Sequence, residues 1–261
     1  MPDEIGDFQT SGLTWAERAG LGGLEAVLSP TGGGRRNAFT HRVHRLAARA
    51  SLSHFRGRVL LVDFGCGNGR FSGFFAHRFT EVLGLDVTAE MIAAAGELGI
   101  PNATFQRNDG VGIPLADGQA DGIWVCAVLR YSLLVERPVY DRIAREMHRV
   151  LQPGGCVVNC EMYLDGGPEA FLPAFKAAGF ELESLSVLQR HLGLLERLAS
   201  HRYAPAACLP LTAALSAGLR RRFDSPWRPS DRFSDYLFVW RKPSASRAAV
   251  KRAGPTTTGE G

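Results

Sequence analysis

Val59-Leu60-Leu61-Val62-Asp63-Phe64-Gly65-Cys66-Gly67-Asn68-Gly69 decides the reading of this 261-residue chain. It is a short apolar strand that runs directly into a glycine-rich turn, and the turn opens a helix. Glycines at alternate positions reach backbone conformations barred to residues with a Cβ, and they let a ligand lie against the main chain. A strand, turn and helix of this kind bind nucleotide-like cofactors. The motif is not the dinucleotide fingerprint G-x-G-x-x-G, because Arg70 stands where the third glycine belongs. The spacing is D-x-G-x-G-x-G.

Three further segments extend the pattern in order. Val82-Leu83-Gly84-Leu85-Asp86-Val87 reads as a second strand ending in a carboxylate 17 positions after Gly69, and Thr88-Ala89-Glu90-Met91 starts a helix. Phe105-Gln106-Arg107-Asn108-Asp109-Gly110, then Ile113-Pro114-Leu115, then Asp117 to Val125 read as a third strand, a turn and a fourth strand. Glu146 to Leu151 followed by Gln152-Pro153-Gly154-Gly155 reads as a helix and corner leading into a fifth strand. Apolar runs alternating with helical segments over 58–158 give successive βα units, hence a parallel sheet covered on both faces. Ligands of such sheets lie beyond the carboxyl ends of the strands, where Asp63, Asp86 and Asp109 fall.

These four ordered segments resemble the class I S-adenosylmethionine-dependent methyltransferases, and the likeness covers roughly residues 57–185. The core is most similar to the small-molecule group that includes the quinone-biosynthesis enzymes. The resemblance implies an α/β fold: a doubly wound, mostly parallel seven-stranded Rossmann-like sheet. Strand six is then 180–188 and strand seven 234–241. A helical insertion separates them, where the family usually has a close hairpin. The implied organisation is an N-terminal segment with a cofactor-covering helix (1–56), a methyltransferase domain (57–243) and a disordered tail (244–261). Within the domain, 189–233 reads as a cap near the substrate mouth or as a helical wrap on the back of the sheet.

The resemblance assigns the cofactor site residue by residue. Backbone N–H groups of the turn Gly65, Cys66, Gly67 and Gly69 suit the amino-acid end of S-adenosylmethionine. Asp63 helps hold its ammonium, or else fixes the turn. Asp86 accepts both ribose hydroxyls, its other use being as the cap of the next helix, a place Thr88 can take. Val87 and Met91 pack on the adenine face or belong to the core. Asp109, with Asn108 and Gly110 beside it, accepts from the adenine amino group or closes an Asx-turn. Cys126 lines the site after strand four through backbone atoms.

Methyl transfer is an in-line displacement that alignment and water exclusion can drive without a strong base. The candidates for a base are His41 on the helix read at 37–55, Tyr131 beyond strand four and Glu161 after strand five; each also has a reading as a packing or surface residue. No His, Asp or Glu group has metal-ligand spacing, so no metal is expected. The segment after strand four lacks the Asn/Asp-Pro-Pro-Tyr motif of amino-methylating nucleic-acid enzymes, and Cys126 lacks the preceding proline of cytosine-C5 enzymes. Base methylation is thereby disfavoured. The implied function is methyl transfer to a small-molecule acceptor, set in secondary metabolism. The alternative is a protein of this fold that binds S-adenosylmethionine and no longer transfers methyl groups.

Composition sets the bounds. With 45% hydrophobic residues the chain supplies one well-buried α/β domain with appendages. The net charge is +4, but all but three of the 30 basic residues are arginine and form no dense stripe, so no nucleic-acid partner is expected. The five cysteines form no C-x-x-C pair and read as buried small hydrophobes. An acidic start without an apolar leader, and no run long enough to span a bilayer, give a cytoplasmic protein as the expectation.

Overall fold

The computed structural model describes residues 13–30, 34–129, 137–162, 172–190, 211 and 234–244. Tyr131, nearly all of the 189–233 insertion and the tail beyond 244 lie outside these residues. Two short helices, α1 (Trp15–Ala19) and α2 (Gly23–Val27), precede α3 (Gly34–Ser51), which ends in a 3-10 turn over Leu52–His54. There follow β1 (Leu60–Phe64), α4 (Ser72–Ala76), β2 (Glu81–Asp86), α5 (Ala89–Gly96), β3 (Ala103–Arg107) and β4 (Ala120–Cys126). The chain continues with α6 (Arg137–Val150), β5 (Leu151–Met162), α7 (Leu172–Ala177), β6 (Glu181–Arg190) and β7 (Ser234–Arg241). No helix among the described residues is long and apolar enough to cross a membrane.

The strands form one seven-stranded sheet in the order β3-β2-β1-β4-β5-β7-β6. The first five in this order are parallel to one another, and β7 lies antiparallel between β5 and β6. This is the Rossmann-like class I methyltransferase arrangement expected from the sequence. The apolar run of β1 is continuous because the strand is central: all five residues are buried, with Leu60, Val62 and Phe64 packing to one face and Leu61 to the other. In contrast β3 is an edge strand, and its Thr104, Gln106 and Arg107 are exposed.

One core carries the stripe Tyr140, Ile143, Ala144, Met147 and Val150 of α6, spaced for one helical face, with Phe175 stacked on Trp240 at 4.8 Å. The other holds Trp124 edge-on to Phe71 at 5.2 Å and packed on Phe75 at 5.3 Å. Emptying either indole site by Trp→Ala costs about 3–5 kcal/mol on general grounds.

Three boundaries differ from the sequence reading. Helix α3 spans Gly34–Ser51 with its 3-10 turn over Leu52–His54, where the sequence reading gave 37–55. Strand six runs over Glu181–Arg190. The Gln152-Pro153-Gly154-Gly155 corner lies inside β5 instead of before it: β4 pairs Ala120 with Leu151 and next Gly122 with Cys156, so the corner bulges out of register. Gly154 supplies the required backbone with φ 84°.

Candidate cofactor site

The carboxyl ends of β1, β2 and β4 meet where the strand order reverses, and β1 pairs with β2 on one side and β4 on the other. A cleft partly open to solvent lies there. Of the residues read as cofactor-binding, Asp63, Gly65, Cys66, Gly67, Asp86, Val87, Met91, Asn108, Gly110 and Cys126 line it. Gly69 and Asp109 do not.

The glycine turn is built from inside. Gly65 (φ 71°) and Gly67 (φ 53°) adopt left-handed backbone, and a Cβ on them would meet Val128 at 2.2 Å and Val27 at 2.8 Å. The turn's own N–H groups are taken. Gly65 and Cys66 donate to the Leu85 carbonyl (2.7 and 2.8 Å), Gly69 donates to the Cys66 carbonyl (3.1 Å), and Gly67 donates to Asp86 Oδ2 (2.9 Å). The expectation that these donors face a ligand is corrected: the glycines serve close approach, the bonds of Gly65, Cys66 and Gly67 hold the turn to β2, and that of Gly69 closes the turn on itself.

Asp86 joins the two roles the sequence left open. Its Oδ1 accepts from the Thr88 N–H at 2.9 Å, opening α5, and Thr88 itself makes no side-chain cap bond. Each oxygen keeps lone-pair capacity toward the cleft. Burial raises its pKa while the N–H groups of Thr88 and Gly67 oppose that shift. Asp63 is buried, accepts from Ser72 Oγ at 2.6 Å, and is pushed up to about 7, chiefly by burial.

Of the two roles read for Asp109, the Asx-turn is the one formed. Asp109 Oδ1 accepts from Val111 and Gly112 N–H (2.9 and 2.7 Å), so the exposed carboxylate closes its own Asx-turn, and those bonds hold its pKa down. Asn108 and Gly110, either side of it, face the cleft instead.

The base candidates fare differently from one another. His41 is not among the cleft-lining residues; it lies against Phe71 (ring centroids 5.9 Å), and burial together with Arg70 lowers it to about 4. Glu161 lies within β5, fully buried, where its Oε1 accepts from Leu129 N–H at 2.8 Å and Val128 N–H at 3.3 Å. It shapes the loop after β4 and does not line the cleft. The same loop contains Ala127, the one described non-glycine residue with positive φ (61°), its N–H held by the Cys160 carbonyl at 2.8 Å.

The structure adds residues the sequence reading missed. Trp15 and Val27, from α1 and α2, wall the cleft, and Asn68 Nδ2 donates to the Gly23 carbonyl at 2.8 Å to hold that cover on the glycine turn. Only a resemblance reaching into residues 13–30 would have revealed them. Arg70 also lines the cleft. Its Nη2 donates to Cys126 Sγ at 3.2 Å, and its buried Nη1 has no partner among the described residues.

Behind Cys126 stands His44, fully buried. Its Nε2 lies 2.9 Å from Asp235 Oδ2 on β7 and its Nδ1 lies 3.6 Å from Cys126 Sγ. Burial favours a neutral ring, but Cys126 and Asp235 outweigh it and raise His44 to about 9. Burial likewise opposes ionisation of Cys126, yet Cys160, His44 and Arg70 draw its pKa well below that of a free thiol. The cysteines are therefore not all inert hydrophobes. The signal was unreadable along the chain because positions 44, 126 and 235 are far apart.

A family model described as a methyltransferase domain matches residues 62–159. Trans-aconitate 2-methyltransferase of Deinococcus radiodurans is 35% identical over 97 residues, 36% of this chain and 34% of that protein. The chain spans only about a third to a half of the length of such curated relatives. Among solved structures, the [4+2]-cyclase SpnF matches with a TM-score of 0.54 and 24% identity over 77% of this chain and 81% of that one. Geranyl diphosphate methyltransferase in complex with SAM matches with a TM-score of 0.56 and 17% identity, over 83% and 93%. Both likenesses are of fold. The ordered motifs, the sheet order and the matched stretch together show a class I methyltransferase fold in which residues 62–159 are similar to a methyltransferase domain.

Proposed function

We propose that this protein transfers a methyl group from S-adenosylmethionine to a small organic acceptor. The observation that carries this reading is the convergence on one cleft of two strand-end carboxylates, a glycine turn open to close approach, and a buried guanidinium nitrogen without a partner. The donor set fits the cofactor. Asp86 offers its remaining lone pairs to a ribose diol, Asp63 a carboxylate to an ammonium, and Arg70 Nη1 a donor to a carboxylate. Val87 and Met91 provide an apolar wall for a flat base, with Asn108 and Gly110 at its polar rim.

When bound, the cofactor supplies an electrophilic methyl group on a sulfonium. The chain's own part is to orient and to exclude water: Trp15 and Val27 cover one side of the cleft, and the clamped loop at Ala127 and Val128 closes another. His41 is neutral above about pH 4 and sits behind Phe71 without lining the cleft, so it is not the group we assign to an acceptor proton. The stretch 189–233 remains our proposal for the acceptor-side cap, within the division 1–56, 57–243 and 244–261.

The test is release of S-adenosylhomocysteine across a panel of small hydroxyl, thiol, amine and carbon-acid acceptors, with cofactor binding measured separately by calorimetry. Binding with turnover of some acceptor supports the proposal, and failure to bind S-adenosylmethionine sinks it. Binding without turnover of any acceptor favours the second reading, a protein that uses this fold for other chemistry. The fold likeness to a cyclase is what gives that reading its weight.

A further inference from the structure

We propose that His44, Cys126 and Cys160 bind a zinc ion beside the cofactor cleft. The three side chains come from α3, the last residue of β4 and the interior of β5. Strand register brings the cysteines together, since Cys126 and Cys160 are direct partners in the β4–β5 ladder. One nitrogen and two sulfur ligand atoms lie within 4.8 Å of one another. A tetrahedral zinc has Zn–S of about 2.3 Å and Zn–N of about 2.0–2.1 Å, which puts neighbouring N and S ligands about 3.6 Å apart. His44 Nδ1 and Cys126 Sγ are 3.6 Å apart.

The surroundings fit a ligand set. Histidines that bind metals give their other ring N–H to a carboxylate, which fixes the tautomer and turns the free lone pair to the metal. His44 Nε2 faces Asp235 at 2.9 Å, and both side chains are fully buried. Arg70 Nη2 donates to Cys126 Sγ, as N–H groups do to ligating sulfur. Two thiolates neutralise the zinc, and Arg70 brings a positive charge beside the Cys126 sulfur. His44 and Cys160 are fully buried while Cys126 is partly exposed at the cleft wall, so a fourth position opens toward the cleft for water or an anionic heteroatom. Zinc suits mixed thiolate and imidazole ligands better than magnesium or calcium does.

The competing account is a metal-free chain of Asp235, His44, Cys126 and Arg70, with the Cys160 thiol as a further partner of Cys126 and no metal bound. The experiment turns on that difference. The full chain, purified without a histidine tag or chelator, should carry about one zinc by mass spectrometric metal analysis. Cobalt reconstitution should give a sulfur-to-cobalt charge-transfer band and the visible absorption of a tetrahedral ion. Cys126→Ser and Cys160→Ser should each lose the metal, and Asp235→Asn should weaken zinc affinity by about 10- to 100-fold. Circular dichroism melting checks that each variant folds; the cobalt spectrum of the wild type stands without any variant. A wild-type protein with no more zinc than Cys126→Ser, no cobalt band and rapid alkylation at Cys126 would overturn the site in favour of the metal-free chain. Undiminished zinc in Cys160→Ser would overturn it as well.

Discussion

Asp86 and Glu161 do the same thing at opposite sides of the cleft, and only one of them faces it. Each is a carboxylate at the carboxyl end of a strand, and each gathers two backbone N–H groups of nearby loops: Gly67 and Thr88 for Asp86, Val128 and Leu129 for Glu161. Asp86 is half-buried and lines the cleft, whereas Glu161 is fully enclosed. One carboxylate thus shapes a loop and remains available to a ligand. The other only shapes. Residue type and position at a strand end do not separate recognition from architecture; exposure does. The two clamped loops touch at Gly65, where an added Cβ would strike Val128.

The comparison breaks most visibly at Glu161. Glu161→Ala leaves the buried Leu129 N–H without its acceptor, at about 1–3 kcal/mol, with a smaller share for the part-buried Val128 N–H, so chemical denaturation should show a loss of about 2–4 kcal/mol. Glu161→Gln, which keeps a carbonyl acceptor, should recover most of it. If the alanine variant keeps wild-type stability, the clamp is not structural.

Asp86→Ala should act mainly on the ligand. S-adenosylmethionine binding should weaken by about 2–4 kcal/mol, since charge-assisted bonds of about 1.5–3 kcal/mol each are lost and partly replaced by water. Calorimetric titration of the folded variant measures this, and unchanged affinity removes Asp86 from the site.

Gly65→Ala probes the junction of the two loops. Its left-handed backbone costs an alanine about 1–3 kcal/mol before any contact is counted. Adding Val128→Ala should restore only the steric share. Full recovery in the double variant, measured by denaturation, would show that the backbone conformation at Gly65 carries no strain.

The smallest expected effect is a slope. His41 binds a proton at about pH 4 in the folded protein and near its ordinary 6.5 when unfolded. The unfolded chain therefore holds more protons between those values, and stability rises with pH through that window and levels above it. Asp63, raised from 3.8 to about 7, acts with the opposite sign. The difference between wild-type and His41→Gln melting profiles cancels Asp63 and isolates the histidine. A pH-independent difference between pH 4 and 6.5 refutes the lowered pKa.

The sheet and the glycine turn were legible because their determinants are contiguous: a five-residue apolar strand, three glycines and a carboxylate 17 positions on. Strand seven was read with its observed bounds, since Tyr236-Leu237-Phe238-Val239-Trp240 is too aromatic and too β-prone for anything else. What escaped depends on where side chains turn and on distant partners. Nothing local distinguishes Asp109 facing a ligand from Asp109 closing its own turn. The N–H groups of a glycine turn look free until Leu85 and Asp86 are placed beside them. His44 and Asp235 meet across 191 positions, and no periodicity reports such a pair.

The antiparallel seating of β7 has a consequence for how such a protein diversifies. Arg190, the last residue of β6, pairs with Ser234, the first of β7, on the same end of the sheet as the carboxyl ends of β1 to β5. The intervening chain therefore leaves and rejoins the scaffold at adjacent points, like a handle fixed by both ends to one rim. Closing a loop between fixed points costs only about 0.6 kcal/mol more for each doubling of its length. Segments of very different size and composition are thus exchangeable at this rim while the strands, the glycine turn and the buried clamps stay as they are.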